Sequence, residues 1–361
     1  MKIFIDIGHP AHVHLFKNFV KEMENRQHKI FVSARDKECS LNLLNYYKIK
    51  YVNRGTGSVA LIGKGINLIK IDLFLYKLAR KFKPDILIGV NNPYIAHIAW
   101  LLRKPSYIFN DTEHARLSNI ITYPFATKII TPSCYKENLE KKQIRYHGYH
   151  ELAYLHPNYF KPDPHVLKKL GLKKGETFII LRFIAWQASH DIGHKGITLE
   201  NKINAVKEFT KYAKVFISSE GKLPDFLEEF RIKIQPEKMH DALYYATLLY
   251  GESATMASEC AALGTPAIFL DNEGRGYTDE EEAKYNLVFN FTESLADQEL
   301  SIKKAIELLQ RPNIKEEWQK RRQRMLSEKI DVTAFMVWLI ENYPESVKIM
   351  KNNPDYQFNF K

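Results

Sequence analysis

Cysteine is scarce in this chain of 361 residues: Cys39, Cys134 and Cys260 stand far apart, and no Cys-x-x-Cys pair occurs. That spacing speaks against a disulfide framework and leaves idle or buried thiols of a reducing cytoplasm. No apolar run is long enough to cross a bilayer. The chain opens on a strand pattern, Lys2–Ile7, so a signal peptide is not expected. Basic motifs with interleaved aromatics, the mark of RNA binding, are missing, so nucleic acid is not expected as a partner. Metal-ligand spacings are missing too. His12 and His14 find no third and fourth ligand at telling distances, and Gly193 spoils a helical pairing of His190 with His194. There is no repeat and no low-complexity tract.

What is present is charge and alternation. The formal net charge is +11, which suits a diphosphate-bearing substrate or an anionic membrane surface. Apolar residues make up 45% of the chain, enough for two domains of ordinary size. Short β-type runs at 2–7, 29–34, 49–52, 85–90, 105–109 and 127–131 are followed, after a break, by runs at 177–182, 214–218, 231–234, 247–250, 266–270 and 287–290. Helical patterns at 13–26, 66–82, 93–102, 199–212 and 293–310 lie between them. Such alternation predicts an α/β protein with two parallel, doubly wound, Rossmann-like sheets. The break, Gly148 to Pro164, holds Pro157, Pro162 and Pro164, which stop helix and strand alike. The expected domains are 1–150 and 165–330, joined by a linker at 151–164. Two closing helices are expected at about 314–328 and 332–342, with Asp331 as a cap.

Open α/β sheets bind ligands at the carboxyl ends of their strands. Gly8–His14, Asn91-Asn92-Pro93, Asp111–Arg116, Arg182–His190, Ser218–Gly221 and Gly251–Thr255 all follow strands. One shared cleft between the two domains is therefore expected. The first turn offers three histidines, His9, His12 and His14, as candidate general bases, and at least one of them is expected only to cap or pack. The turn after 105–109 offers Asp111, Glu113 and Arg116, either as proton-transfer groups or as a solvated ion-pair loop. The segment Gly251 to Phe269 reads as strand, small-residue turn, helix and strand. Its turn, Gly251, Ser253, Ala254 and Thr255, presents backbone N–H groups and hydroxyls at a helix N-terminus, where a phosphate binds. Glu259, one turn further, could accept hydrogen bonds from ribose hydroxyls. The same features would also serve plain close packing and the helix dipole.

The unit 232–270 resembles the donor half of GT-B glycosyltransferases, most nearly the bacterial transferase that adds N-acetylglucosamine to lipid-linked muramyl-pentapeptide. It is also similar to the non-hydrolysing UDP-N-acetylglucosamine 2-epimerases. The whole chain, from Ile5-Asp6-Ile7-Gly8-His9-Pro10-Ala11-His12 onward, resembles domain-of-unknown-function family 354. These resemblances imply a GT-B fold whose last helix, with the face 332–338, crosses back so that 331–361 joins the first domain. They imply a first-loop histidine near the acceptor hydroxyl, matched by His12 with His9 and His14 as fallbacks, and an epimerase-like acid matched by Glu113, with Asp111 orienting a neighbour. For the donor they imply Arg182 and His190 on the diphosphate, Ser219 and Glu220 lining the nucleotide, and Gln235-Pro236 reading the base. Met239 and Met256 complete that lining, and Asp271–Tyr277 is expected to be a mobile lip over the sugar.

The expected activity is thus metal-independent, inverting glycosyl transfer from a UDP-linked sugar to a glycan or lipid-linked acceptor in surface-polysaccharide synthesis. No cofactor is expected beyond the nucleotide-sugar substrate. An epimerase is the alternative, and a non-catalytic nucleotide-sugar-binding protein the third reading. The helix 66–83 carries Ile66, Ile69, Leu73, Phe74 and Leu78 on one side, surrounded by Lys64, Lys70, Lys77, Arg80, Lys81 and Lys83. It could rest on the inner face of a membrane or pack its stripe on its own sheet.

Overall fold

The computed structural model describes residues 1–56, 61–173, 175–184, 196–219 and 221–361, with the backbone alone over 61–67. Contacts divide the chain into two compact units, Met1–Tyr159 with Lys329–Lys361, and Phe160–Glu328.

The first unit is built on seven parallel strands, β1 (Lys2–Ile7), β2 (Lys29–Ala34), β3 (Tyr51–Asn53), β4 (Ile86–Val90), β5 (Ser106–Phe109), β6 (Lys128–Pro132) and β7 (Gln143–Tyr146), in the order β3-β2-β1-β4-β5-β6-β7. The central strands β1, β4 and β5 are apolar almost throughout and buried on both faces, as parallel strands covered by helices must be. The helices are α1 (Pro10–Asn25), α2 (Ser40–Tyr46), α3 (Leu61–Phe82), α4 (Pro93–Leu102), α5 (Arg116–Thr122) and α6 (Leu152–Leu155).

The second unit carries five parallel strands, β8 (Phe178–Phe183), β9 (Lys214–Ser219), β10 (Leu248–Gly251), β11 (Ala267–Leu270) and β12 (Val288–Phe291), in the order β12-β11-β10-β8-β9. Its helices are α7 (His165–Lys169), α8 (Leu199–Phe209), α9 (Met239–Tyr245), α10 (Ala254–Leu263), α11 (Gly276–Ala283), α12 (Leu295–Gln310) and α13 (Ile314–Glu328). The chain then returns to the first unit as α14 (Val332–Glu341) and α15 (Glu345–Asn352). Two Rossmann-like parallel sheets were the expectation, and two are found.

The returning segment is held by side chains as well as by apolar packing. Asp331 caps α14 by accepting from the Ala334 N–H at 2.9 Å. The Thr333 hydroxyl and the Asn18 amide both donate to the Ala153 carbonyl, at 2.7 and 2.9 Å, so α14 and α1 meet over α6. Val332, Phe335, Met336, Val337 and Leu339 are buried. Gly148 is required here, because a Cβ would stand 2.5 Å from Val332 Cγ2.

Several elements differ from the sequence reading, among them the start of α3, at Leu61 rather than 66. Residues 231–234 form no strand; Arg231 makes only a single bridge to Ile217, after a 3-10 turn at Asp225–Phe230. Strand β7 was not foreseen, since Gln143-Ile144-Arg145-Tyr146 is too polar to stand out from a lysine-rich loop. Helix α1 starts at Pro10 rather than 13, because His9 caps it and proline is well placed in a first turn.

Candidate functional site

Each unit gathers its polar turns at the carboxyl edge of its sheet. In the first, His9 caps α1 with its ring, Nδ1 accepting from the Ala11 N–H at 3.2 Å. His12 is half-buried, and its Nδ1 accepts from the Gly8 N–H at 3.3 Å. A neutral ring in that arrangement carries its proton on Nε2. Burial, and then the neighbouring His9 and His150, push the His12 imidazole well below its ordinary value, against the pull of Asp111. His12 is thus neutral at physiological pH.

Asp111 turns toward His150, Oδ2 standing 2.8 Å from Nδ1. The Thr112 hydroxyl donates to Oδ1 at 2.9 Å. Burial works against ionising Asp111, but the charge and hydrogen bond of His150, then the Thr112 hydroxyl and His12, outweigh it and hold the carboxyl at about 2. Burial likewise opposes a charge on His150, yet Asp111 and then Glu151 raise it above its ordinary value. His150 Nε2 is buried with no hydrogen-bond partner among the described residues.

Beneath this edge lies a second network. Asp6, fully buried at the end of β1, accepts from Arg54 Nε at 2.8 Å, Asn92 Nδ2 at 2.6 Å and Ser33 Oγ at 2.7 Å. The Arg54 side chain is only 4% exposed and stacks on Tyr94. Its terminal nitrogens make no hydrogen bond among the described residues. The space that a Cβ on Gly8 would fill is 3.7 Å from Arg54 Nη2 and 3.8 Å from His12 Nδ1. A ligand oxygen there would meet a cation on one side and a neutral imidazole on the other.

Two of the expected residues have other work. His14 is buried, with its ring stacked on Tyr154 and edge-on to Tyr47, so it packs α1. Glu113 accepts from the Lys136 N–H at 3.0 Å, tying its loop to the turn after β6.

In the second unit, β10 leads through Gly251, Glu252 and Ser253 into α10 as expected. Gly251 is obligatory, because a Cβ would stand 2.0 Å from the Arg182 carbonyl oxygen. Ser253 caps α10, accepting from the Met256 N–H at 3.3 Å, so its hydroxyl is already engaged; Ala254 and Thr255 open the first turn, half-exposed, and Met256 is buried. Arg182 Nη1 donates to Ser218 Oγ at 3.2 Å, with Ser219 next at the end of β9.

Glu252 is the busiest group of this edge. Its two carboxylate oxygens accept from the Ile184 N–H at 2.9 Å and the Ile197 N–H at 2.7 Å, and Lys202 Nζ stands 3.1 Å away. It therefore fastens both ends of the β8–α8 connection to the turn before α10. His190 and Glu220 lie outside the described residues, as do Gln187, Ser189 and Asp191.

Glu259 is buried in α10, and its Oε1 is 2.9 Å from Nε2 of buried His240 in α9. Gln235 and Pro236 are exposed ahead of Met239, which begins α9; Gln235 accepts from Lys169 Nζ at 3.1 Å. The Asp271–Tyr277 segment carries contacts of its own. Asp271 accepts from the Glu273 N–H at 2.7 Å and pairs with Arg275 at 3.3 Å, while Tyr277 is buried.

His150, Arg54, Glu252 and His240 had been given no role from the sequence. The first stood at the edge of a proline-rich break, and Arg54 followed a short strand. The other two were visible inside the donor segment, but nothing in their spacing announced partners.

Comparison with known proteins is consistent in fold. A family model described as "Protein of unknown function (DUF354)" matches residues 1–279. An uncharacterized protein of Methanocaldococcus jannaschii is 27% identical over 287 residues, covering 74% of this chain and 81% of that protein. Among solved structures, the S. aureus MnaA–UDP complex superposes with a TM-score of 0.70 at 13% identity, covering 96% of this chain and 98% of that one. A UDP-GlcNAc 2-epimerase from Neisseria meningitidis bound to UDP-GlcNAc gives 0.65 at 12% identity, over 95% and 100%. The spinosyn rhamnosyltransferase SpnG, complexed with spinosyn aglycone, gives 0.61 at 12%, over 95% and 100%. At these identities the structural likeness is one of fold.

Proposed function

This chain belongs to the DUF354 family, and we propose that it is a metal-independent, inverting glycosyltransferase that uses a UDP-linked sugar. The fold neighbours handle UDP, UDP-GlcNAc or a glycosylation aglycone, which supports a nucleotide-sugar substrate. The acceptor is a glycan or lipid-linked hydroxyl compound of surface-polysaccharide synthesis, handled by a protein of the cytoplasm.

One observation carries the choice of reaction: the neutral His12 facing Arg54 across the open space above Gly8. An acceptor hydroxyl seated there displaces the long Gly8 N–H bond and gives its proton to His12 Nδ1. Its oxygen attacks the anomeric carbon of the donor sugar as the bond from that carbon to the diphosphate breaks, and the nucleotide leaves with the electron pair. The imidazolium formed is stabilised by ionised Asp111. His9 stays at its cap, and Glu113 at its loop.

The donor belongs to the second unit. Arg182 is suited to bidentate contact with a phosphate, and the Ala254 and Thr255 N–H groups at the start of α10 suit the other. Ser219 lines the nucleotide, and Glu259, oriented by His240, takes a ribose hydroxyl. Gln235-Pro236, Met239 and Met256 stand toward the base.

The test is a His12→Ala variant. It should keep its affinity for the nucleotide sugar while acceptor-dependent nucleotide release falls by about 10²–10⁴-fold. Unchanged turnover would end the proposal. The epimerase alternative finds support in the Asp111–His150 pair, since an imidazole that a carboxylate makes more basic is suited to hold and return the C2 proton. Against it, a carboxyl held at about 2 is a weak base.

A further inference from the structure

Helices α3, α4 and α5 cover one face of the seven-stranded sheet. Their inward residues, among them Ile71, Leu75, Ile95 and Ile98, form a buried cluster with Phe4, Leu87 and Ile108. The outward side of such a layer is normally polar. Here Ile69, Leu73 and Phe74 of α3, Trp100 and Leu101 of α4, and Leu117 and Ile120 of α5 are exposed, Trp100 to 60% and Leu117 to 72%.

These residues belong to one connected surface. The His97 ring of α4 bridges its neighbours, 2.9 Å from Asp72 of α3 on one side and 2.9 Å from the Ile121 carbonyl of α5 on the other. Phe125 packs edge-on against both His97 and Trp100. Along these three helices the exposed charges are mostly basic. Lys70, Lys77, Arg80 and Lys81 are exposed along α3, Arg103 and Lys104 follow α4, and Arg116 opens α5. Within the three helices the only acidic residue is Asp72, which His97 engages.

The geometry points to an anionic phospholipid surface as the partner of this face. Exposed aliphatic and indole side chains ringed by lysine and arginine match both halves of a bilayer interface: the apolar groups enter the acyl boundary and the cations meet headgroup phosphates. A second copy of the chain fits less well, because a two-fold contact would bring the same cationic rim against itself. Nucleic acid would use the cations but leave the aliphatic residues without a role. The contact is independent of which sugar reaction the protein performs.

The full chain should sediment with vesicles of phosphatidylcholine and phosphatidylglycerol, less so at high salt, and not with phosphatidylcholine alone. Brominated acyl chains should quench its tryptophan fluorescence, and Trp100→Phe should remove that quenching. A Trp100→Ser/Leu117→Ser variant should lower partitioning by at least about tenfold with an unchanged thermal transition. Lys77→Gln/Lys81→Gln should lower it roughly fivefold per charge. The proposal is overturned if the wild type ignores phosphatidylglycerol, if the Trp100→Ser/Leu117→Ser variant binds as well as wild type, or if that variant instead turns a dimer into a monomer. The last outcome would assign the face to a second copy.

Discussion

Asp111 Oδ2 and His150 Nδ1 meet at 2.8 Å at the carboxyl edge of the first sheet, a buried ion pair between the turns that follow β5 and β7. One strand, β6, lies between their strands in the sheet, yet the pair keeps Asp111 ionised, fixes the His150 ring, and places a negative charge within reach of neutral His12.

Replacing Asp111 by Asn should leave His150 buried without its counter-charge and cost about 3 kcal/mol. The sign of the pH dependence follows from the two shifts. Asp111 is depressed, so its contribution is present above its ordinary 3.8 and is lost as pH falls toward about 2. His150 is raised, so its contribution is present below its ordinary 6.5 and is lost as pH rises through the folded value. Urea unfolding across pH should therefore show the largest gap between wild type and variant from about pH 4 to 6.5. A gap that widens above that window would contradict the pairing.

His12 is depressed by burial and by its histidine neighbours. A base of that kind stays unprotonated well below 6.5. The acid limb of kcat/KM should accordingly lie on the acid side of an ordinary histidine. A limb at or above 6.5, lost in His12→Ala, would mean that the ring is charged in the working enzyme.

Glu252 should be a positioning residue. Glu252→Gln turns one of the two acceptor oxygens into an NH2 donor and removes the negative charge beside Lys202. The expected loss is about 2–3 kcal/mol of stability, with weaker nucleotide-sugar binding and little change in the turnover of bound donor. Scanning calorimetry and a split of kcat from KM would decide it; a fall in kcat alone would move Glu252 into the chemistry.

Glu259→Ala should weaken UDP affinity by about 1.5–3 kcal/mol for each charge-assisted hydrogen bond lost. Because Glu259 also holds His240, Glu259→Gln serves as the milder control. Titration calorimetry that finds UDP affinity intact in the folded Ala variant would leave Glu259 as a purely structural partner of His240.

The fold was legible because its signals are local. Buried parallel strands such as Ile86–Val90 are apolar runs, and Ser253 and Asp331 announce the helices they cap. Edge elements were harder: β7 is half polar, and 231–234 has the residues of a strand but meets β9 at the single bridge of Arg231 to Ile217. Within the candidate site, residue types were readable but partners were not. His12, His14, Asp111 and Glu113 look equivalent in sequence. Only the packed structure sends His14 into an aromatic stack, ties Glu113 to Lys136 and gives Asp111 to His150. Arg54 and Asp6 show the same limit, since their meeting depends on β3 and β1 lying one strand apart in the sheet.

The most direct test of the central claim is to incubate the preferred nucleotide sugar with the protein in heavy water, with and without acceptor. A transferase leaves the C2 hydrogen of the sugar untouched and releases nucleotide only when acceptor is present, whereas an epimerase must exchange that hydrogen with solvent. The account predicts no deuterium at C2 and acceptor-dependent UDP release that falls about 10²–10⁴-fold in His12→Ala. Deuterium at C2 without any acceptor would contradict it and make the protein an epimerase.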